Sequence, residues 1–523
     1  MIGTALATCT RMLAKICSAA VVGIEASPIE VEVDIGSGLP GINIIGLPDA
    51  GVKEGRIRIR AALEQCGFKM PQRRIVVNLA PADLKKDGAA FDLAIALGIL
   101  QAAEHLPKNV LDNSVFLGEL ALDGSLRPVR GVLAVTAWAR SNNMRRIFVP
   151  AHNAEEASVA AGCVQVIAVK RLADVIEALR TDLDVAWQKL NPKAASVVTE
   201  HDAPITAGND LADIRGQTEA RRALEIAAAG GHNILFVGPP GSGKTMLARR
   251  LSGILPRLDF EEALQTTMVH SVAGLLGEQG LLKARPFRAP HHTVSVAGLV
   301  GGGPLVRPGE VSLAHNGVLF LDELLEFSRV SLEGLRQPLE DRYITVVRAR
   351  RAVRFPSDFM LVAALNPCPC GHLGSQIRNC TCSLTAIANY RSKLSGPLLD
   401  RIDMHVDVPA VTYRDVAGGA PGESTATVAA RVARARLVQV ARAKVTNARL
   451  TNKQLGVYAV LDEAGHKMLE KAMVRFALSA RSVERIRRVA RTIADLGGTD
   501  LVGASHIAEA LHYRAFDREI VSN

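Results

Sequence analysis

Residues 238–245 read Gly-Pro-Pro-Gly-Ser-Gly-Lys-Thr and follow directly on an apolar run, Asn233-Ile234-Leu235-Phe236-Val237. This pairing constrains the fold more than any other feature, because such a loop works only between a strand and the first turn of a helix. Its glycines let consecutive backbone N–H groups converge on a phosphate without Cβ obstruction. Gly238, Pro239, Pro240, Gly241, Ser242 and Gly243 are therefore expected to cradle nucleotide phosphates. Lys244 is expected to reach the β- and γ-phosphates, and Thr245 to ligate Mg²⁺ at the start of a helix over Met246–Leu251. The bland alternative is a glycine-rich strand-to-helix turn that holds nothing.

A second run, Gly317-Val318-Leu319-Phe320-Leu321, ends in Asp322-Glu323. An uninterrupted apolar run predicts a parallel strand buried on both faces. Asp322 at its end suits Mg²⁺, and Glu323 suits polarisation of the water that attacks a γ-phosphate. ATP and Mg²⁺ are the cofactors these two runs imply, and hydrolysis follows more naturally than binding alone. The competing reading is a strand whose terminal acids merely face water.

At 523 residues the chain has room for two to four domains. Its net charge of +10 favours an acidic partner, usually nucleic acid, although charge alone is a weak argument. Aromatic residues make up only 4%, so phosphate contacts are a better expectation than base stacking for holding a strand. No apolar run reaches the roughly 18 residues of a membrane span, and Arg11 and Lys15 interrupt the N-terminus, so a cytoplasmic chain with no membrane partner is expected. Of the eight cysteines, Cys9, Cys17, Cys66 and Cys163 are scattered and read as ordinary thiols.

The fold class expected is multidomain α/β. An α+β domain over residues 1–185 carries strands such as Ile29–Ile35 and Arg74–Leu79 and amphipathic helices such as Ala61–Cys66 and Asp92–Ala103. A polar linker (186–210), a P-loop core with a parallel sheet (211–413) and a helical lid (414–523) follow. The gap between Lys244 and Asp322 exceeds one strand-helix-strand crossover, so extra elements must be inserted.

Several segments resemble the bacterial Mg-chelatase-like AAA+ ATPases over nearly the whole chain: Ile44-Ile45-Gly46-Leu47-Pro48-Asp49-Ala50, Val77–Asp83, Ala228–Asn233, Arg285–Ser295 and Asn366-Pro367-Cys368-Pro369-Cys370-Gly371. The resemblance implies an AAA+ core in a homo-hexameric ring. It places Asn366 as the sensor 1 residue, Arg401 as an arginine finger reaching a neighbouring subunit and Arg481 as the sensor 2 arginine of the lid. Alternatives remain for both arginines: an ion pair of Arg401 with Asp400 or Asp403, and an exposed Arg481 beside Glu484. It further implies a helicase that drives branch migration on single-stranded and branched DNA, promoting strand exchange in natural transformation alongside the recombinase machinery. A chelatase-type remodelling ATPase with a protein partner is the rival.

The segment Tyr343–Phe355 alternates apolar and basic residues at strand period and predicts a hairpin with a cationic rim. Arg348, Arg350 and Arg351 are candidate phosphate contacts, against a reading as a charged edge that blocks strand addition. The basic run Arg431–Arg436, with Arg442, Lys444 and Arg449, fits DNA contact and a solvated helix face equally. Cys368, Cys370, Cys380 and Cys382 form two Cys-x-Cys pairs that could close a structural Zn²⁺ site, with free or redox-active thiols as the alternative.

Residues 1–180 also resemble the Lon proteolytic domain, in Lys86-Asp87-Gly88-Ala89-Ala90 and Gly118-Glu119-Leu120. Alanine stands at position 90, where that resemblance implies the serine nucleophile, and no lysine occurs between Lys108 and Lys170. An acyl-enzyme cannot form without nucleophile and base, so this domain is expected to be protease-inactive.

Overall fold

The four apolar residues before the P-loop, Ile234–Val237, form a fully buried strand in a five-stranded, all-parallel sheet. The computed structural model describes residues 12–84, 86, 88–107, 109–181, 210–276, 280–303, 306–348, 351–374, 378–410 and 422–514. The described residues fall into two compact units, those within Met1–His201 with Ala263–Leu282, and those within Asp202–Glu262 with Lys283–Asn523. The expected linker lies outside the described residues except for Asp210.

In the second unit the strand order is Phe287–Arg288, Val318–Leu321, Met360–Leu365, Ile234–Val237 and Met404–Asp407. The three innermost strands are buried at every position, as continuous apolar runs require when helices cover both faces of a sheet. Helices Thr218–Gly230 and Lys244–Ile254 supply Ala223, Leu224, Ala227, Leu247, Ala248 and Leu251 to the same core. Each fully buried Leu, Ile, Val or Phe contributes about 1.5–3 kcal/mol over its exposed state.

Four longer helices follow: Thr425–Ala443, Glu463–Phe476, Ala480–Gly497 and Ala504–His512. The third buries Ile486, Val489, Ala490, Ile493 and Ala494, the spacing that places side chains on one helical face. Side chains of Ser424, Asp462 and Ser479 cap the first three by accepting from Thr427 N, Gly465 N and Ser482 N.

Those helices correct one expectation. Most of the basic run is neither a solvated face nor a free cationic surface, because its arginines tie the helices together. Arg431 donates to Glu225 at 2.5 Å and to both oxygens of Glu423 at 2.7 and 2.6 Å. Arg442 grips both oxygens of Asp495 at 2.8 Å, Arg436 donates to Ala228 O at 2.5 Å, and Arg449 pairs with Asp358. Only Arg434 and Lys444 of that run are exposed.

The first unit holds a mixed seven-stranded sheet ordered Gly41–Ile45, Arg74–Ala80, Glu25–Gly36, Met12–Val22, Ser114–Phe116, Arg146–Pro150, Gln165–Val169. The pairs Met12–Val22 with Glu25–Gly36 and Glu25–Gly36 with Arg74–Ala80 are antiparallel and the rest parallel. Helix Asp92–Ala102 is not amphipathic as expected: every residue except Gln101 is buried, so it forms the centre of this core. Asp92 enters that interior with Arg58 as partner at 2.7 Å, and burial still pushes its carboxyl up to about 6.

Candidate nucleotide site

The loop after Val237 turns tightly under the sheet's C-terminal edge. A Cβ on Gly238 would fall 2.1 Å from Val408 O, so only glycine fits there. The loop delivers Lys244 as the first residue of helix Lys244–Ile254. Its Nζ is buried and donates to Gly238 O at 2.6 Å, Pro239 O at 2.8 Å and Asn366 Oδ1 at 3.2 Å. Burial lowers its pKa from the usual lysine value, and the charges of Asp322 and Glu323 pull it back up. The ammonium is thus aimed into the loop.

Thr245 Oγ1 donates to Asp322 Oδ2 at 2.7 Å, joining the two segments the sequence marked separately. A hydroxyl and a carboxylate oxygen side by side fit the hard-oxygen ligand set of Mg²⁺. The chain reverses at Glu323, which adopts left-handed backbone angles (φ 50°, ψ 50°) and donates its N–H to Asp322 Oδ1 at 3.0 Å. A non-glycine residue in that region stores about 1–3 kcal/mol of strain. The turn leaves the Glu323 side chain 57% exposed at the sheet edge, open to water and substrate.

Asn366 follows directly on the central strand Met360–Leu365, whose last carbonyl accepts from Gly238 N at 3.2 Å. P-loop, Asp322, Glu323 and Asn366 therefore converge. Two residues further on, Cys368, Cys370, Cys380 and Cys382 bring their four sulfur atoms within 4.8 Å of one another.

The two arginines lie differently. Arg401 donates to Pro397 O at 2.6 Å and pairs with Glu340, whose carboxyl it holds below the usual glutamate range. Its partner is neither Asp400 nor Asp403; Asp403 accepts instead from Arg485 at 2.9 Å and Asn233 N at 3.0 Å. Arg481 is exposed in the first turn of Ala480–Gly497. The hairpin forms as expected, Tyr343–Arg348 antiparallel to Arg351–Pro356, with Arg348 opposite Arg351 as its last described pair. Arg350 lies outside the described residues, and only the backbones of Arg348 and Arg351 are placed.

Two further side chains beside the site had no role assigned from the sequence. His292 Nδ1 lies 3.5 Å from Glu323 Oε2, with its ring tilted 34° against that of His291 at 4.1 Å between centroids. Gln217 Nε2 bridges Ser242 O at 3.3 Å and Pro409 O at 2.8 Å, tying the P-loop to the segment after the last strand. The polar cluster Arg288-Ala289-Pro290-His291-His292 beside the acidic strand was the available signal for the histidine; nothing local marks the glutamine.

Three family models match the chain in succession. The one described as subunit ChlI of Mg-chelatase covers residues 31–153, magnesium chelatase, subunit ChlI, covers 210–416, and the ChlI C-terminal model covers 422–514. The uncharacterized protein YifB of Escherichia coli (strain K12) is 42% identical over 508 residues, spanning 96% of this chain and 97% of that protein. The competence protein ComM of Haemophilus influenzae (strain Rd) is 44% identical over 510 residues, 97% of this chain and 98% of that protein. Lon protease 2 of Bacillus subtilis (strain 168) shares 26% identity over 164 residues, 28% of this chain and 29% of that protein. With these matches along its length, and a P-loop, acidic strand and polar strand end gathered on one parallel sheet, the chain belongs to the Mg-chelatase-like AAA+ ATPase family, in the group of YifB and ComM.

Proposed function

We propose that this chain is an ATP-driven, ring-forming motor that moves branch points along DNA and so extends strand exchange during uptake of foreign DNA. The observation that carries the ATPase part is the junction of Thr245 with Asp322 at 2.7 Å beside a buried Lys244 that touches Asn366. These side chains would hold ATP and Mg²⁺, and Glu323 would orient the attacking water. Bound ATP supplies the hydrolysable phosphoanhydride, and the chain's own residues bind, orient and exclude competing water. Arg401, released from Glu340, would reach the phosphate of a neighbouring protomer, and Arg481 would close the lid over its own.

The DNA task is supported by the +10 net charge, by the arginines at the hairpin tip and by a relative named for competence. The four thiols would hold Zn²⁺, and the first unit is read as a Lon-like domain without proteolytic chemistry, since Ala90 offers no nucleophile. No helix among the described residues is long and apolar enough to cross a membrane.

A second reading, a chelatase-type remodelling ATPase acting on a protein partner, is favoured by the magnesium-chelatase names of all three matching models. Steady-state ATP hydrolysis with and without single-stranded and four-way-junction DNA separates the two. Stimulation by DNA supports the motor. Turnover indifferent to DNA but raised by a chelatase partner supports the alternative.

A further inference from the structure

We propose that the four-cysteine loop is a metal clasp for the nucleotide site: closed around Zn²⁺, it presses its first turn against the P-loop and fixes Asn366, so ATP affinity depends on the metal being bound. This rests on the zinc reading of the cluster and adds a purpose to it.

The sulfur geometry suits a closed site. Cys368 Sγ lies 3.4 Å from Cys370 Sγ and 3.6 Å from Cys380 Sγ, and Cys370 Sγ lies 3.6 Å from Cys380 Sγ. Four thiolates at about 2.3 Å from zinc stand about 3.8 Å apart on the edges of a tetrahedron, so the cluster is nearly preformed. Backbone N–H groups already point at the sulfurs: Leu373 N to Cys368 at 3.3 Å, Cys370 N to Cys382 at 3.4 Å, Cys382 N to Cys380 at 3.5 Å. Such donors stabilise metal-bound thiolates from outside the ligand shell.

The loop needs a cross-link. Between the strand that ends at Leu365 and the helix that starts at Leu384, the described residues form neither helix nor strand, and only Pro367, Cys368 and Gly371 among them are buried, too few to make a core. A metal joining the two Cys-x-Cys arms supplies the order that a core cannot.

That order is transmitted at one contact. Gly371, in the turn closed by its own N–H to Cys368 O at 2.9 Å, sits at φ +81°, and a Cβ there would fall 2.5 Å from Cδ and 2.8 Å from Cγ of Pro240. The metal-binding turn is therefore the surface on which the P-loop proline rests. Next to Pro240, the Pro239 carbonyl accepts from Lys244 Nζ, which also touches Asn366, two residues before Cys368. Cys368, Gly371, Pro240, Pro239, Lys244 and Asn366 thus form one contiguous path from the metal-binding turn to the phosphate-binding ammonium.

The test uses the full chain purified without chelator and reads two quantities, zinc per chain by mass spectrometry and the Kd for a fluorescent MANT-ATP probe with Mg²⁺ in the absence of DNA. Wild type should carry about one zinc per chain. Cys380→Ser should lose the metal and weaken the probe roughly tenfold or more, and zinc added back to chelator-treated wild type should restore binding. Gly371→Ala should keep its zinc yet weaken the probe, because its Cβ strains the turn and pushes against Pro240 while all four sulfur ligands remain; it decides the matter if Cys380→Ser fails to fold. Zinc-free wild type overturns the zinc reading and the clasp with it. A zinc-loaded wild type whose Kd is unchanged by both metal removal and Gly371→Ala overturns the clasp and leaves the zinc site standing. Wild type that binds no probe overturns the nucleotide reading, and the clasp falls with it.

Discussion

Replacing Lys244 by alanine is the sharpest perturbation of the nucleotide site, because the structure shows what its ammonium does before any ligand arrives. Nζ is buried against two loop carbonyls and Asn366 at 2.6, 2.8 and 3.2 Å. On binding a triphosphate it would form charge-assisted bonds to phosphate oxygens worth about 1.5–3 kcal/mol each. Two such bonds, less the carbonyl contacts surrendered, leave a net loss of roughly 3 kcal/mol in the alanine variant. At about 1.4 kcal/mol per decade this is on the order of 100-fold in ATP affinity. Fold stability should change less: two carbonyls lose a donor, but a partly desolvated ammonium is removed from the interior. The assay is MANT-ATP titration alongside thermal melting. A variant that melts near wild type and binds the probe within threefold of it would refute the assignment of Lys244 to the phosphates.

Glu323→Gln should bind ATP normally and hydrolyse it about 10²–10⁴ times more slowly, the range for loss of a general base, and equal losses in Kd and kcat would contradict that role. His292→Ala, which frees Glu323 from its neighbour at 3.5 Å, should change kcat with ATP affinity intact; a shift confined to Kd would argue against it. Mixing Lys244→Ala with Arg401→Ala subunits should recover ATPase activity that neither has alone if Arg401 acts in a neighbour's site, and no recovery at any ratio would assign Arg401 to its pairing with Glu340. Burial pushes the Asp403 carboxyl up, but His232, Arg485 and Asn233 N–H outweigh it and hold it well below the carboxylate range. A carboxyl depressed in the folded state stabilises above its unfolded pKa near 4 and loses that contribution as pH falls toward its folded value. Asp403→Asn should therefore cost about 3–5 kcal/mol at pH 7, by orphaning Arg485, with a deficit that shrinks below pH 4; a deficit equal at pH 3 and pH 7 would refute this.

What could be read from the sequence was what local spacing encodes. Glycines at fixed offsets, a continuous apolar run ending in two acids, and alternation across Tyr343–Phe355 each specify geometry within a few residues, and the described residues of all three segments adopt it. Helix Asp92–Ala102 departs from the expected amphipathic pattern because a 3.6-residue period exists only when one face meets water, and this helix has no such face. The fate of the arginines was hidden for a different reason. Charge along a chain says nothing about partners, and those of Arg431, Arg442, Arg449 and Arg401 come from distant segments as Glu225, Asp495, Asp358 and Glu340. The cysteines were intermediate: the two pairs were plain in the sequence, but their convergence on one point, and the turn of that loop against Pro240, came only from the fold.

Phosphate release and branch migration of a labelled four-way junction, followed together with the purified chain, test the motor reading, in which ATP hydrolysis at this site drives movement along DNA. If the motor reading holds, junction DNA accelerates phosphate release, migration requires ATP, and Glu323→Gln stops both in parallel. Hydrolysis that runs at the same rate without DNA while the junction stays in place would contradict it.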